Sequence, residues 1–261
     1  MDTSKPIHLL TPEEVNAIPQ EEYDALVAKI KRDMEEGLKY YPICGFTPNP
    51  PQYRMTKKIA ESVEYLGGMT QDKYPKVRQK SRQFGSFWGN GCGKTWFLVV
   101  LTGNIVWGPQ NPWFDYRLFK EWPFAKHIRW VVDAPELKET GEIWRAINRW
   151  WPRHKFKESK DGYDYYSTFI FLDDAGNENG FTLSVRTNDQ PLRLHESDDV
   201  GCVMFNEPPV RPVYHAYPAR FRHGGFRLIC GTLVMESPWI TEEVIDNPEA
   251  VWEMADAEDN C

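Results

Sequence analysis

The feature that most constrains this chain is a glycine-rich stretch, residues 84–95, with the sequence FGSFWGNGCGKT. An apolar run typical of a buried strand opens it, and a helix-forming run over residues 94–107 follows it. In a strand–turn–helix of this kind, backbone amides surround phosphate oxygens, the lysine reaches the β- and γ-phosphates, and the hydroxyl binds Mg²⁺. The stretch has Trp88 where the usual GxxxxGK[ST] pattern has its first glycine. The residues predicted to bind phosphate are Gly89, Asn90, Gly91, Cys92, Gly93, Lys94 and Thr95, with Thr95 also a metal ligand.

A second stretch, residues 200–209, ends an apolar run with a carboxylate. Nucleotide hydrolysis needs such a carboxylate near the phosphates to activate water. Glu207 is predicted to be that general base, and Asn206 stands where an aspartate usually holds Mg²⁺ through water. Because a neutral amide is a weaker partner for the cation, the loop threonine could carry more of the metal, or Asp198 or Asp199 could contribute. The non-functional alternatives are an ordinary strand-to-loop transition here and a glycine turn with an unrelated lysine at the loop.

Hydrophobic periodicity predicts helices alternating with strands that are apolar on both faces, the pattern of a parallel sheet covered by helices. The expected fold class is therefore α/β. Residues 41–51, with four prolines, are expected to lack regular structure, and the acidic residues from 241 onward show no strand pattern. Helices are predicted from a cap at residues 11–14 and over residues 21–37, 53–66, 94–107 and 137–151, and strands over residues 84–88, 128–132, 168–172, 181–185, 200–205 and 226–230, with a hairpin turn at 173–180.

Composition excludes several classes of protein. No apolar run in the 261 residues reaches the about 18 that a membrane span needs, so no membrane association is expected. Five widely spaced cysteines support neither a disulfide framework nor a zinc site. The net charge of −7 argues against non-specific coating of nucleic acid, although a local basic stripe is compatible with DNA contact. The N-terminus lacks a secretory signal, so a cytoplasm is the expected compartment.

With these motifs in order, the chain resembles the ATPase domain of the large terminase subunit, the genome-packaging motor of tailed bacteriophages. The resemblance covers residues 46–247. Four segments carry it: the proline-rich approach to Gln52, the phosphate loop, residues 206–209 followed by Tyr214 and Arg220, and Gly231-Thr232 with Trp239 further on.

The resemblance implies an ASCE-type P-loop NTPase with a central, mainly parallel sheet flanked by helices. It implies an N-terminal helical appendage and linker over residues 1–45, the ATPase domain over 46–247, an acidic tail over 248–261, and no nuclease domain in this chain. By the same resemblance Gln52 reads adenine and Thr232 senses hydrolysis. The family's loop arginine is replaced by Gly91, so the charge in the transition state falls to another arginine: Arg220 above all, or Arg222, Arg211 or Arg129, in cis or from a neighbouring subunit.

The implied activity is Mg²⁺-dependent hydrolysis of ATP that moves double-stranded DNA into a procapsid. The implied partners are double-stranded DNA, a homo-oligomeric ring that is pentameric by resemblance, the portal protein and the small terminase subunit, in the host cytoplasm. Two alternatives stay open: a nucleotide-binding assembly module with little or no turnover, and another DNA-dependent P-loop ATPase. Two stretches are rich in cations, residues 73–82 and residues 150–157. Each could contact DNA. The alternative for the first stretch is a solvated loop, and the alternative for the second is a pair of buried tryptophans.

Overall fold

A computed structural model of the chain describes residues 18–133, 136, 141–160, 167–233, 238–256 and 258. The described chain divides into two compact units between Tyr41 and Pro42. Two helix predictions are affected by these limits: the cap at residues 11–14 and the beginning of the helix over 137–151 lie outside the described residues. None of the described helices is both long enough and apolar enough to cross a bilayer.

The described part of the first unit consists of one helix, α1, Gln20–Tyr40. Acidic Glu21 and Glu22 occupy its first turn and Lys39 its last, which complements the helix dipole. The predicted helix is confirmed, but its predicted end at Gly37 is wrong. The backbone N–H of Tyr41 donates to the Gly37 carbonyl (2.8 Å), so the helix continues through the glycine. A glycine ends a helix when it takes a left-handed conformation, and Gly37 does not.

The second unit is built on an eight-stranded sheet in the order β10-β3-β9-β8-β4-β7-β6-β5. Neighbouring strands are parallel from β10 to β7, whereas β6 and β5 add antiparallel pairs at one edge. The predicted α/β class with a mainly parallel sheet is therefore confirmed. The sheet strands are β3 (Gln83–Trp88), β4 (His127–Val132), β5 (Phe156–Lys160), β6 (Ser167–Leu172), β7 (Glu178–Thr187), β8 (Cys202–Asn206), β9 (Phe226–Gly231) and β10 (Ala250–Ala255). A separate antiparallel hairpin consists of β1 (Val63–Met69) and β2 (Pro75–Gln79).

Helices flank this sheet, and the one that matters most for the site is α3, Lys94–Val106. It is apolar around its whole circumference, as expected of a helix buried on all sides. Short 3₁₀ turns connect several elements, one of them at Pro42–Gly45 in the stretch expected to lack regular structure. The other helices are α2 (Pro50–Glu61), α4 (Arg117–Lys120), α5 (Glu142–Trp150), α6 (Leu192–His195), α7 (Arg211–Ala216) and α8 (Pro238–Ile240), which runs into a π-helical turn, Thr241–Ile245.

Two further predictions of secondary structure are wrong. The helix expected over residues 53–66 ends at Glu61, and the chain then enters β1, where Gly67 and Gly68 adopt positive φ angles of 80° and 72°. Tertiary pairing with β2 overrides the helical periodicity there.

The second error concerns the acidic end of the chain, where β10 pairs in parallel with β3. Glu253 hides the strand pattern because it is a charged residue at a buried position. Its carboxylate accepts from Arg54 Nε (2.6 Å) and Lys58 Nζ (2.9 Å) on α2. The expected tail over residues 248–261 therefore contributes a strand to the sheet.

Candidate nucleotide-binding site

The predicted phosphate loop is a strand–turn–helix in the structure. β3 ends at Trp88, α3 begins at Lys94, and the loop lies between them. Gly91 and Gly93 have φ angles of +86° and +71°, a conformation that favours glycine. Open space surrounds the position that a Cβ of Gly91 would occupy. The loop thus exposes backbone at the amino end of a helix, the arrangement that suits phosphate.

The loop is tied to the last strand of the sheet. The Gly89 N–H donates to the Ala255 carbonyl (2.8 Å), and the thiol of buried Cys92 donates to the Asp256 carbonyl (3.1 Å). β10, a strand that the sequence did not predict, and the residue after it therefore hold the phosphate loop through two hydrogen bonds.

Gln52, the predicted adenine reader, is buried and bound within the chain. Its side-chain oxygen accepts from the Asn49 N–H (3.0 Å), and the Asn49 side chain accepts in turn from the Gln52 N–H, which closes a capping box on α2. Gln52 Nε2 donates to the Gly93 carbonyl (3.1 Å). The carboxamide thus anchors the phosphate loop to α2, and adenine recognition by Gln52 stays a prediction.

Gln52→Ala is expected to lower the free energy of unfolding by about 1 kcal/mol, because α2 loses a cap and the loop loses an anchor. Urea denaturation followed by circular dichroism measures this change. The matched control is Gln20→Ala, which removes an exposed glutamine side chain from α1. Equal midpoints for the two variants would contradict the anchoring role.

Lys94, Thr232 and Glu207 meet beside the loop. Lys94 Nζ donates to the carbonyl of Trp88 (3.0 Å) and to Thr232 Oγ1 (2.8 Å), and lies 3.6 Å from Glu207 Oε1. The Thr232 N–H donates to Glu207 Oε2 (2.7 Å). The structure therefore brings together the predicted phosphate-binding lysine, the predicted base and the predicted sensor.

Glu207 has an unusual backbone, with φ at +71°, which costs a non-glycine residue free energy and is common at functional sites. Its N–H donates to the carbonyl of Cys230 on β9 (2.9 Å). Burial, followed by the charge of Glu207, raises the pKa of the Cys230 thiol, so this cysteine stays neutral beneath the site. The turn thus sets the carboxylate at the carboxyl end of β8 and β9.

A cavity of about 420 Å³ opens in front of these residues. Asn206 and Thr95, the predicted metal-binding pair, both line it. The sequence analysis missed Asp133, Glu136, Glu142 and Trp96, which also line it. A signal existed for Asp133, because it directly follows the predicted strand β4, just as Glu207 directly follows β8. The cavity wall consists of Asn90, Gly91, Gly93, Lys94, Thr95, Trp96, Asp133, Glu136, Glu142, Asn206 and Glu207.

One aromatic ring, that of Trp96, lines this cavity and packs against a second ring outside it. Trp96, which is 43% exposed, meets Trp150 edge-to-face with ring centroids 5.6 Å apart. The guanidinium of Arg149 lies over both rings, at 5.5 Å from Trp96 and 5.2 Å from Trp150. Trp150 therefore lies near the cavity, whereas its neighbour Trp151 is buried in the core.

Three of the four candidate arginines, Arg220, Arg222 and Arg129, lie near the amino ends of the parallel strands, whereas the phosphate loop lies at the carboxyl ends. The Arg220 carbonyl accepts from the Val200 N–H (3.1 Å), before the amino end of β8. Glu207 follows the carboxyl end of β8, roughly 20 Å away along the strand. Arg220 thus does not reach its own phosphate loop, and its predicted catalytic role requires a second copy. Arg222 pairs with Asp199 (3.0 Å) at the same edge.

Arg129 is fully buried near the amino end of β4 and pairs with Asp198 (3.1 Å). Burial and the charge of Arg129 lower the pKa of neighbouring His127 to about 4, so the imidazole is neutral at pH 7. Asp198 and Asp199 come before the amino end of β8, whereas the cavity lies at its carboxyl end. Both aspartates are therefore too far from the cavity to help hold a cation. Arg211 begins α7 after the Glu207 turn and binds Glu243 (2.6 Å).

Within the described residues, no group of three or more His, Cys, Asp or Glu side chains is arranged to hold a metal ion. A cation in this cavity would depend on the Thr95 hydroxyl, on phosphate oxygens and on water held by neighbouring side chains. The basic stretch over residues 73–82 includes the hairpin strand β2 and the residues on either side of it, and its role in DNA contact stays a prediction.

No protein-family sequence model and no curated protein matches the chain. Among solved structures, it is similar to the large terminase from a thermophilic bacteriophage, with a TM-score of 0.52, 10% identity, and coverage of 82% of this chain and 47% of that one. It thus spans about half the length of that terminase. The large terminase ATPase domain of Thermus phage P74-26 gives a TM-score of 0.46 at 12% identity, over 83% of this chain and 84% of that one. The Phi-28 gp11 DNA packaging motor gives 0.31 at 10% identity, over 67% and 56%.

These similarities differ in what they support. The likeness to the first of these terminases, the one from the thermophilic bacteriophage, shows a common fold, and at 10% identity it shows the fold alone. The two lower scores carry no inference of their own. The resemblance to large terminases drawn from the motifs is thereby confirmed at the level of fold.

Proposed function

We propose that this chain, which shares its fold with a phage large terminase, is a Mg²⁺-dependent ATPase that drives double-stranded DNA into a procapsid. The observation that carries the proposal is the meeting of Lys94, Thr232 and Glu207 beside an open phosphate loop. A homo-oligomeric ring, the portal protein and the small terminase subunit are the proposed partners, in the cytoplasm of a host cell.

The residues of the cavity fit a magnesium nucleotide. The loop offers backbone at a helix start, and the Lys94 ammonium is held by oxygen acceptors that phosphate oxygens can replace. Asn206 is only 8% exposed, lines the cavity, and makes no side-chain hydrogen bond within the described part of the chain. Its side-chain amide is open to the cavity, where a ligand or its water can bind it.

In the proposed reaction each residue has one task. Gly91 and Gly93 let the backbone approach the phosphates, Lys94 binds them, and Thr95 and Asn206 hold the cation. When bound, Mg²⁺ neutralises charge on the β- and γ-phosphates. Glu207 removes a proton from the attacking water. Thr232 links the lysine to the base through its hydroxyl and N–H, so loss of the γ-phosphate changes the surroundings of both.

The experiment that tests nucleotide binding is calorimetric titration of the full chain with Mg-ATPγS. Lys94→Ala is expected to weaken binding at least about tenfold, because it removes a charge-assisted contact to phosphate. Lys57→Ala is the matched control, since Lys57 is an exposed lysine on α2 that pairs with Glu61. Equal affinity of both variants and the wild type would contradict the proposal.

The motor part of the proposal needs turnover. Phosphate release from Mg-ATP is expected to increase with protein concentration and with double-stranded DNA, because a ring brings an arginine from a second copy to the site. Binding without turnover would favour the second candidate, an assembly module. Asn206 and Gly91 favour that candidate, since each replaces a charged residue of the terminase pattern. Strand separation without movement on duplex DNA would favour a helicase-like ATPase.

A further inference from the structure

We propose that Asp133 completes the cation site, by supplying from the neighbouring strand the carboxylate that the chain lacks at Asn206. Its carboxylate would accept hydrogen bonds from water bound to the Mg²⁺ of the nucleotide complex. The inference rests on the proposed function, because it assigns a further binding residue to the same cavity.

The first support is the register of two adjacent strands. β4 and β8 are parallel neighbours, with Val131 opposite Phe205. Two residues further along each strand are Asp133 and Glu207. Since paired strands lie about 4.8 Å apart, Asp133 leaves the sheet beside Asn206 and Glu207, at the edge that carries the phosphate loop.

The second support is the cavity itself. Asp133 lines it together with Thr95 and Asn206. The side-chain amide of Asn206, which makes no hydrogen bond within the described part of the chain, is open to the same cavity. The amide carries no charge, whereas hard cations such as Mg²⁺ prefer surroundings with carboxylate oxygens.

The other two acidic residues missed in the sequence are engaged elsewhere. Glu136 Oε2 accepts from the Ile143 N–H (3.1 Å) near the start of α5. Glu142 is exposed at the beginning of that helix and lies 3.9 Å from Arg145. The Asp133 side chain has a single contact among the described residues, from Asn188 Nδ2 to Oδ1 (3.3 Å). Asp133 is thus the carboxylate at a strand end with room to accept from water.

The test measures how Mg²⁺ changes nucleotide affinity, which needs no turnover. The full chain is titrated with ATPγS at graded Mg²⁺ concentrations and in EDTA. In Asp133→Asn, the Mg²⁺ concentration for half-maximal enhancement of binding is expected to rise about tenfold, the usual cost of losing a side chain that orients a metal's ligands. Affinity in EDTA is expected to stay the same. Adding Asn206→Asp to Asp133→Asn is expected to restore the wild-type Mg²⁺ dependence.

The matched control is Glu142→Gln, which removes one negative charge from the cavity wall away from the strand ends. No shift is expected for it. Wild-type Mg²⁺ dependence in Asp133→Asn, or an equal shift in Glu142→Gln, would overturn the inference and leave the proposed function standing. Absence of nucleotide binding in the wild-type chain would overturn both. Circular dichroism checks that each variant is folded.

Discussion

Glu207→Gln is expected to lower the rate of ATP hydrolysis by about 10³-fold, because a glutamine cannot take a proton from water and general-base catalysis is worth about 10²–10⁴. In the wild type, the Thr232 N–H donates to Glu207 Oε2 (2.7 Å). The amide oxygen of the glutamine can still accept this hydrogen bond. Affinity for Mg-ATPγS is therefore expected to stay within about threefold of the wild type, less than 1 kcal/mol. Phosphate release in the presence of double-stranded DNA and calorimetric titration measure the two quantities.

The matched control for this prediction is Glu249→Gln. Glu249 is an exposed carboxylate just before the amino end of β10, whereas the phosphate loop lies at the carboxyl ends of the parallel strands. Its variant is expected to hydrolyse ATP at the wild-type rate. If Glu207→Gln kept a tenth or more of that rate, Glu207 would not be the general base, and Asp133 would be the next carboxylate to test.

Trp151→Ala is expected to lower the free energy of unfolding by about 4 kcal/mol, the typical cost of removing a buried tryptophan side chain. Trp151 is 1% exposed, and its indole N–H donates to the Val99 carbonyl on α3 (2.9 Å). The substitution leaves a cavity and removes this hydrogen bond to the helix that carries the phosphate loop. Its ring lies 5.3–5.8 Å, centroid to centroid, from those of Trp107, Trp130, Phe156, Phe169 and Phe171.

Urea denaturation followed by far-ultraviolet circular dichroism measures this loss. Trp113→Ala is the control, because Trp113 is 44% exposed and its truncation is expected to cost less than about 1 kcal/mol. Trp151→Phe, which keeps an aromatic ring, is expected to lie between the two. Equal midpoints for Trp151→Ala and Trp113→Ala would show that the aromatic cluster contributes little to stability.

Several parts of this protein follow from local sequence pattern alone. A strand, a glycine turn and a helix beginning at Lys94 follow from residues within one short segment, and the structure has all three. The apolar strands of the sheet were predicted because both of their faces are buried, so nearly every residue is apolar. Glu207 was placed after β8 by the same logic.

Which segments meet depends on contacts between residues that are far apart in the sequence. β10 was missed because Glu253, a charged residue, occupies a buried position that Arg54 and Lys58 neutralise from α2. Adenine recognition by Gln52 stays a prediction, and the structure adds that its side chain binds the Asn49 backbone and the phosphate loop about forty residues away. Arg220 lies near Glu207 in the sequence, but α7 and the turns beside it return the chain from the carboxyl end of β8 to its amino end, so the two residues lie at opposite ends of that strand.

The same physical reason explains why Asp133 escaped the sequence analysis. The order β9-β8-β4 sets the end of β4 beside the end of β8, although some seventy residues separate Asp133 from Glu207. Strand order is chosen by the packing of helices and sheet over long sequence distances, and local periodicity carries no record of it. The sequence thus determined the phosphate loop and its helix, and the tertiary structure decided which carboxylates face them.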